Sequence, residues 1–198
     1  MNPQFLVLFF LLPALTPALT PALPQAGSGR NRNPAAEMER KLEHLRSNGK
    51  LEHPDPKPTV FTEEEINAYL SSGEVTFPAG VESVNFQEEP GVVTANLKVD
   101  FDKLKAKRNS GNPLLQIFTG MHAIEGRAHA HGADGSAFVN LDSVSLDGVE
   151  IPRLVLQLFA DQYLRPQYPQ AGLDSQFALP VRIDTVAVGS HRLTLTQS

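Results

Sequence analysis

The sequence predicts an α+β fold in which a curved antiparallel β-sheet, arranged as a meander, packs against one or two amphipathic helices. Apolar residues alternate with polar ones over much of residues 74–198, which is the period of a half-buried strand. Apolar residues recur at helical spacing in residues 61–70 and 152–164. Short turn sequences join consecutive strand segments, which favours antiparallel pairing rather than a parallel sheet.

The strand prediction rests on segments of alternating character. The clearest is 92–101, in which one face is Val93, Ala95, Leu97, Val99 and Phe101 and the other face is mostly polar. Turns are expected at EEPG (88–91), at GADG (132–135) and at Gly189-Ser190. The predicted strands are 81–88, 92–101, 120–131, 136–147, 180–188 and 191–197.

The best local signal is the start of a short helix at Thr62. Thr62 and Glu65 have the spacing of a capping box, in which each side chain bonds the backbone N–H of the other residue. Phe61 before the cap and Ile66 after it have the spacing of a hydrophobic staple. Gly73 is expected to end this helix.

Two further helices are predicted. Residues 35–47 carry one thin apolar stripe of Met38, Leu42 and Leu45, so this helix is expected to pack only lightly. Residues 152–164 carry a broad apolar arc, and Pro152 suits the first helical position.

The chain divides into three predicted parts. Residues 1–26 are predicted to be a cleaved secretory signal peptide, because the apolar run 5–12 is too short to span a bilayer and prolines follow it. The N-terminal MNPQ lacks the usual Lys or Arg, so an uncleaved anchor is the alternative. Residues 27–60 are predicted to be a helix-containing linker, and residues 61–198 the globular domain. The expected location is the periplasm or the outside of the cell, with possible membrane association.

Composition excludes several kinds of protein. The formal net charge of −5 argues against nonspecific nucleic-acid binding, which needs a basic surface. The absence of Cys excludes disulfides, thiolate metal sites and a cysteine nucleophile. The sequence contains no Walker A, G-x-G-x-x-G or G-x-S-x-G motif. No cofactor is therefore predicted, and the protein is expected not to be an enzyme.

Three polar groupings have a second interpretation. His129 and His131 could share one metal ion with Glu125 or Asp134, but an exposed polar strand face is the favoured interpretation, because Arg127 on that face would repel a cation. The basic run Lys103–Arg108 could contact an anionic lipid surface, and a solvated loop is the alternative. The acidic groups Glu63–Glu65 and Glu88–Glu89, like the hairpin tip Gly189-Ser190-His191, are interpreted as solvated.

The surplus of apolar residues predicts a ligand groove. Strand 136–147 is apolar on both faces, the arc of helix 152–164 is broad, and LLQIF (114–118) adds a further apolar patch. A sheet that curls around a helix can leave an apolar cleft between the two. A well-packed core without a cavity is the alternative. The predicted ligand-binding residues are Phe86, Leu97, Val99, Phe101, Phe138, Leu158 and Phe159.

The sequence resembles the secreted tubular lipid-binding (TULIP-like) proteins of bacteria. The matching positions of the opening helix are Thr62, Glu65, Ile66, Asn67 and Leu70, and LDSVSLDGVEIPRLVLQLFADQYL (141–164) is similar to the strand, turn and apolar helix of that family. The resemblance covers 61–197. It implies a noncatalytic protein that holds acyl chains in an apolar groove of a curved sheet.

Three functional hypotheses follow, and the first two include no metal site. The first is an exported, noncatalytic domain that binds a lipid or another apolar small molecule. The second is an envelope structural or protein–protein interaction module, with 35–60 as a tether and a sheet edge as the docking site. A hydrolase or metalloenzyme centred on His129 and His131 ranks last.

Overall fold

The computed structural model describes residues 33–107, 118–161, 165, 169–170 and 172–198. These residues form the predicted α+β fold, with an open antiparallel sheet and helices packed against it. The predicted signal peptide 1–26 and most of the LLQIF segment lie outside the described residues.

The described residues contain four helices and nine strands. The helices are α1 (Pro34–Asn48), α2 (Glu63–Ser71), α3 (Phe101–Lys107) and α4 (Arg153–Phe159). The strands are β1 (Thr59–Thr62), β2 (Val81–Glu89), β3 (Val92–Asp100), β4 (Met121–Ala133), β5 (Ser136–Leu146), β6 (Val149–Glu150), β7 (Asp174–Ala178), β8 (Ile183–Gly189) and β9 (Arg192–Gln197). All six predicted strands are present, whereas β1, β6 and β7 were not predicted.

Strand β4 is the centre of the sheet. Along one edge it pairs with β3, and beyond the end of β3 the same edge meets β8 at Gly132 and Val186. A Cβ atom on Gly132 would lie 2.8 Å from the Cβ of Val186, so only glycine permits this approach. The other edge pairs with β5, which in turn pairs with β6 and β7. The β2–β3 and β8–β9 hairpins therefore meet end to end on one edge of β4.

Helix α1 is an integral part of the core. Met38, Leu42 and Leu45 are at most 1% exposed and join one large apolar cluster with α2, β1, β2, β8 and β9. The buried Asn48 amide donates to Gln197 Oε1 at 2.8 Å, and Gln197 Nε2 donates to the Leu45 carbonyl at 2.8 Å. The segment predicted to be a linker, 27–60, thus supplies a core helix and strand β1. The prediction that α1 packs only lightly was wrong, because the width of an apolar stripe does not show how completely other elements cover it.

Helix α2 has the predicted cap. The Thr62 hydroxyl accepts from the Glu65 N–H at 3.2 Å, and Glu65 Oε2 accepts from the Thr62 N–H at 2.9 Å. Lys41 of α1 also lies 2.6 Å from Glu65 Oε2, so the capping glutamate joins the two helices. Phe61 and Ile66 are both buried, as the staple requires.

A β-bulge in β5 changes which residues share a face. Arg127 of β4 pairs with Ser143 while the next residue, Ala128, pairs with Leu141, so Asp142 has no direct partner. An extra residue reverses the alternation of the strand. Val139 and Leu141 before the bulge therefore share a face with two apolar residues after it, Val144 and Leu146. Simple alternation in the sequence had predicted that Val139 and Leu141 lie on one face of the strand and Val144 and Leu146 on the other.

Candidate binding surface

The predicted groove residues on β2 and β3 are packed inside the protein. Phe86 is buried in the large cluster beneath α2. Val99 and Phe101 form a smaller cluster, against which the partly buried Leu97 packs. Phe101 and Phe118 are in ring contact, with centroids 5.5 Å apart. Phe86, Val99 and Phe101 are buried against partners within the fold, whereas the partly buried Leu97 also borders an open trough on the sheet.

The other predicted groove residues lie elsewhere. Phe138 pairs in register with His131 on the sheet face opposite the core, and the two rings stack at 5.0 Å. Leu158 and Phe159 are exposed on α4. The structure therefore does not bring the seven predicted residues into one groove.

Helix α4 and the adjoining β6 carry a concentrated exposed apolar surface. No side chain of α4 is buried, although the helix contains five large apolar residues. Val149 is 71% exposed, Leu154 is 72% exposed and Leu158 is 57% exposed, with Val155 and Phe159 exposed beside them. We refer to Val149, Leu154, Val155, Leu158 and Phe159 as the α4 patch. Large exposed apolar patches on soluble domains mark interaction sites for proteins, ligands or membranes.

The charged groups around the α4 patch are paired with each other. Arg153 lies 3.5 Å from Asp174 and donates to the Leu141 carbonyl at 3.1 Å, which ties the start of α4 to β5 and β7. Arg165 lies 2.6 Å from Asp161. Glu150, next to Val149, is also exposed, so the described residues that flank the patch carry no excess of positive charge.

One concave surface of the sheet is lined by more polar than apolar residues. A trough of about 600 Å³ lies on the face opposite the core. One cross-strand row in it runs through Asn85, Asn96, Glu125, Ser145 and Glu150 on five neighbouring strands. Polar side chains of this kind do not fit an acyl chain.

The histidine pair on β4 is occupied by other contacts. His129 Nδ1 lies 2.9 Å from Asp142 Oδ1, and His131 stacks on Phe138. Across the residues that the structure describes, no group of three His, Asp or Glu side chains is arranged to hold a metal ion.

The basic run at 103–108 is described only in part. Lys103 Nζ is 2.7 Å from Glu82 Oε1 and 3.7 Å from Asp100 Oδ2, so the described end of this run already has acidic partners. Arg108 lies outside the described residues.

Three titratable groups that are remote in sequence meet at the seam between the two hairpins. Glu63 Oε2 accepts from the Glu88 backbone N–H at 3.1 Å and lies 2.8 Å from His191 Nδ1. The Glu88 side chain is 3% exposed, and its Oε2 atom has no hydrogen-bond partner. We refer to Glu63, Glu88 and His191 as the seam cluster.

The seam cluster holds its two carboxyl groups in different protonation states. Burial raises the pKa of Glu88 to about 7, and the charge of Glu63 and a hydrogen bond to Glu63 act in the same direction. Burial also raises the pKa of Glu63, but the hydrogen bonds from His191 and from the Glu88 backbone outweigh it and leave this pKa below its ordinary value. At a pH somewhat below 7, Glu63 is ionised while Glu88 is mostly protonated, and at pH 7 about half of Glu88 is ionised.

The sequence did not predict this cluster, because each acidic pair was interpreted as solvated. A signal was present in the alternation of β2, since Glu88 continues the inward-facing series Val84 and Phe86. No local sequence pattern predicts that Glu63 and His191 lie close together, because the pairing of β1 with β9 brings them together. Asn67, which matched the family motif, has a structural role, since its side chain exchanges two hydrogen bonds with the Phe86 backbone at 2.7 and 2.8 Å.

Within the described ranges, no helix has the length and apolar character needed to cross a bilayer. No family model, curated protein or solved structure matches the chain.

Proposed function

We propose that the protein is a noncatalytic lipid-binding module that attaches to the surface of a bilayer through the α4 patch. The observation that carries the proposal is the exposure of five large apolar side chains within residues 149–159. A helix whose apolar residues are not buried in its own fold needs another apolar phase. Lipid is also the ligand class that the resemblance to the TULIP-like proteins implies.

This proposal differs from the expected enclosed groove in where the lipid lies. Phe86, Val99 and Phe101 are already covered by other side chains, so an acyl chain would have to displace a packed core to reach them. The α4 patch needs no such rearrangement. Its paired flanking charges favour zwitterionic lipid over an anionic surface.

Co-sedimentation with phosphatidylcholine vesicles tests the proposal. The full chain should partition onto the vesicles, and Leu154→Ser combined with Leu158→Ser should weaken partitioning by roughly tenfold or more, because each buried Leu contributes about 1.5–3 kcal/mol. Raising the salt concentration should leave binding unchanged. All variants share residues 1–32, so any contribution of that apolar segment is common to them.

Leu51→Ser is the matched control, because Leu51 is 54% exposed on a different part of the surface. It should bind vesicles as the unmodified chain does. Equal binding by the unmodified chain and the α4 double variant would refute the proposal. If the unmodified chain self-associates in the absence of lipid and the double variant does not, the patch is a protein interface, as in the second hypothesis.

A further inference from the structure

The seam between the β2–β3 and β8–β9 hairpins is held by few backbone bonds. Gly91 donates to the Val188 carbonyl at 3.0 Å, and His191 donates to the Glu88 carbonyl at 2.9 Å. Glu63 at the start of α2 donates its own N–H to the His191 carbonyl at 3.0 Å. Strand β4 pairs with β8 at Gly132 and Val186, and Gly135 in the turn after β4 donates to the Asp184 carbonyl at 3.0 Å. The side chains at this seam therefore contribute a large share of what holds the two hairpins together.

One carboxylate oxygen connects all three elements of the seam. Glu63 Oε2 receives the Glu88 backbone N–H from β2 and contacts the His191 ring from the β8–β9 turn. Glu63 itself is the first residue of α2, where the helix dipole favours a negative charge. An ionised Glu63 is thus the acceptor that the arrangement requires.

We propose that the seam cluster is a proton-controlled latch, in which a protonated Glu88 lets the two hairpins and α2 close together, and loss of that proton loosens the seam. The Glu88 carboxyl is buried and has an unpartnered oxygen, so its ionised form would place a second negative charge beside Glu63 in an apolar setting. This device is independent of the proposed lipid surface, since the α4 patch lies on other elements.

The other charged groups around Glu88 offset that second charge only in small part, because the charge of His191 has the weakest influence on the pKa of Glu88. His191 is the nearby titratable base, and it is already engaged with Glu63. Glu89, the next residue on β2, points to the opposite face and pairs with Arg127 of β4 at 2.9 Å. Arg192 lies against Gly189 on the neighbouring strand of the hairpin. Glu64 of α2 is exposed.

The direction of the switch follows from the pKa of Glu88. In the closed form this pKa is about 7, whereas the ordinary value is 4.5. Between pH 4.5 and 7, Glu88 is therefore protonated in the closed form and ionised in the open form. The stability of the closed form decreases as pH rises from about 4.5 to about 7. Above that range the loss is complete, and the seam should open more often.

Amide hydrogen exchange of the full chain tests the latch. After correction for intrinsic exchange rates, the opening equilibrium of residues 86–91 and 188–193 should be about tenfold or more larger at pH 8.5 than at pH 5.5. In Glu88→Gln this increase should vanish, because the amide cannot ionise. Glu89→Gln is the matched control and should behave as the unmodified chain does. An unmodified chain with no such increase, or a Glu88→Gln variant that keeps it, would overturn the proposal.

A second measurement does not depend on the folding of any variant at position 88. The carboxyl carbon resonance of Glu88 in the unmodified chain should titrate with a midpoint near 7, and Glu63→Gln should lower that midpoint by removing the neighbouring charge. A midpoint below about 5 in the unmodified chain, near the ordinary Glu value, would overturn the latch.

Discussion

Helices α1 and α4 present opposite relations between sequence and burial. α1 has a thin apolar stripe on a charged helix, yet Met38, Leu42 and Leu45 are almost completely buried. α4 has five large apolar residues in seven, yet buries none of them. Apolar content alone therefore does not tell which helix belongs to the core.

The difference lies in the polar partners of each helix. Lys41 reaches Glu65 and the Val60 carbonyl from the middle of α1, and Asn48 and Gln197 join its end to β9. These contacts hold α1 in one position against the sheet. α4 has Arg153 at its start as its link to β5 and β7, and that link is exposed. Specific hydrogen bonds, rather than stripe width, separate the buried helix from the exposed one.

The largest expected effect comes from making a cavity under α1. Leu42→Ala should lower the free energy of unfolding by about 2–5 kcal/mol, because the side chain is 1% exposed and its neighbours cannot fully collapse. Leu154→Ala on α4 is the matched control, with an expected change within about 0.5 kcal/mol. Chemical denaturation of both variants measures the two values. Similar losses in both would show that α4 packs against the fold in solution.

The next largest effect is the dependence of the unfolding free energy on pH, which the buried Glu88 carboxyl is expected to cause. The unmodified chain should lose up to about 3 kcal/mol of unfolding free energy between pH 4.5 and 7, since one pKa unit corresponds to about 1.4 kcal/mol. The hydrogen bond with Asp147 raises the pKa of His122, so the stabilisation from this pair is lost as pH rises above about 6.5, largely above the range in which Glu88 acts. Denaturation of Glu88→Gln at several pH values isolates the Glu88 contribution. If the unmodified chain and Glu88→Gln lose the same unfolding free energy over this pH range, Glu88 is not the source of the pH dependence.

Removing the polar connection at the end of α1 should have a somewhat smaller effect. Asn48→Ala should lower the free energy of unfolding by about 1–3 kcal/mol, because it leaves the buried Gln197 Oε1 and the partly buried Asp55 N–H without their partner. A thermal denaturation series with Asn140→Ala, an exposed amide bonded to Asp174, supplies the comparison. No loss in Asn48→Ala would mean that apolar contacts alone position α1.

The smallest effect is expected at the link that holds α4. Arg153→Ala should change the unfolding free energy by less than about 0.5 kcal/mol, because its ion pair is exposed. Amide exchange within residues 153–159 should nevertheless become faster, since the donor to the Leu141 carbonyl is lost. A destabilisation of several kcal/mol would instead place α4 within the cooperative unit, on a par with α1.

Local patterns in the sequence predicted much of this fold. The alternation in 92–101 and the turn at 132–135 gave the strands and their pairing, and the capping box located α2 to the residue. Strand β1 was missed because it is four residues long and depends on β9 for its pairing. The bulge at Asp142 reversed the faces of Val144 and Leu146, and alternation counted without it gave the wrong division.

The candidate surfaces were harder to predict, because they depend on long-range packing. Leu158 and Phe159 were predicted to line an apolar groove, and the sequence could not show that the sheet would leave them exposed on α4. Phe86, Val99 and Phe101 were placed in a groove, because a strand pattern cannot distinguish a lined cleft from a packed core. Glu88 required the meeting of α2, β2 and the β8–β9 turn, which no local pattern contains.

The bond between Asn48 and Gln197 spans 149 residues of sequence, and β1 pairs with β9 across a similar distance. Contacts of this span form slowly, because a long loop must close before they contribute. During synthesis, α1 and β1 emerge early and can meet α2, but their partners on β9 become available only after that strand has left the ribosome. A nascent chain that stops before Arg192 should therefore keep α1 exposed to proteases and chaperones, and the last strand sets the moment at which the core can close.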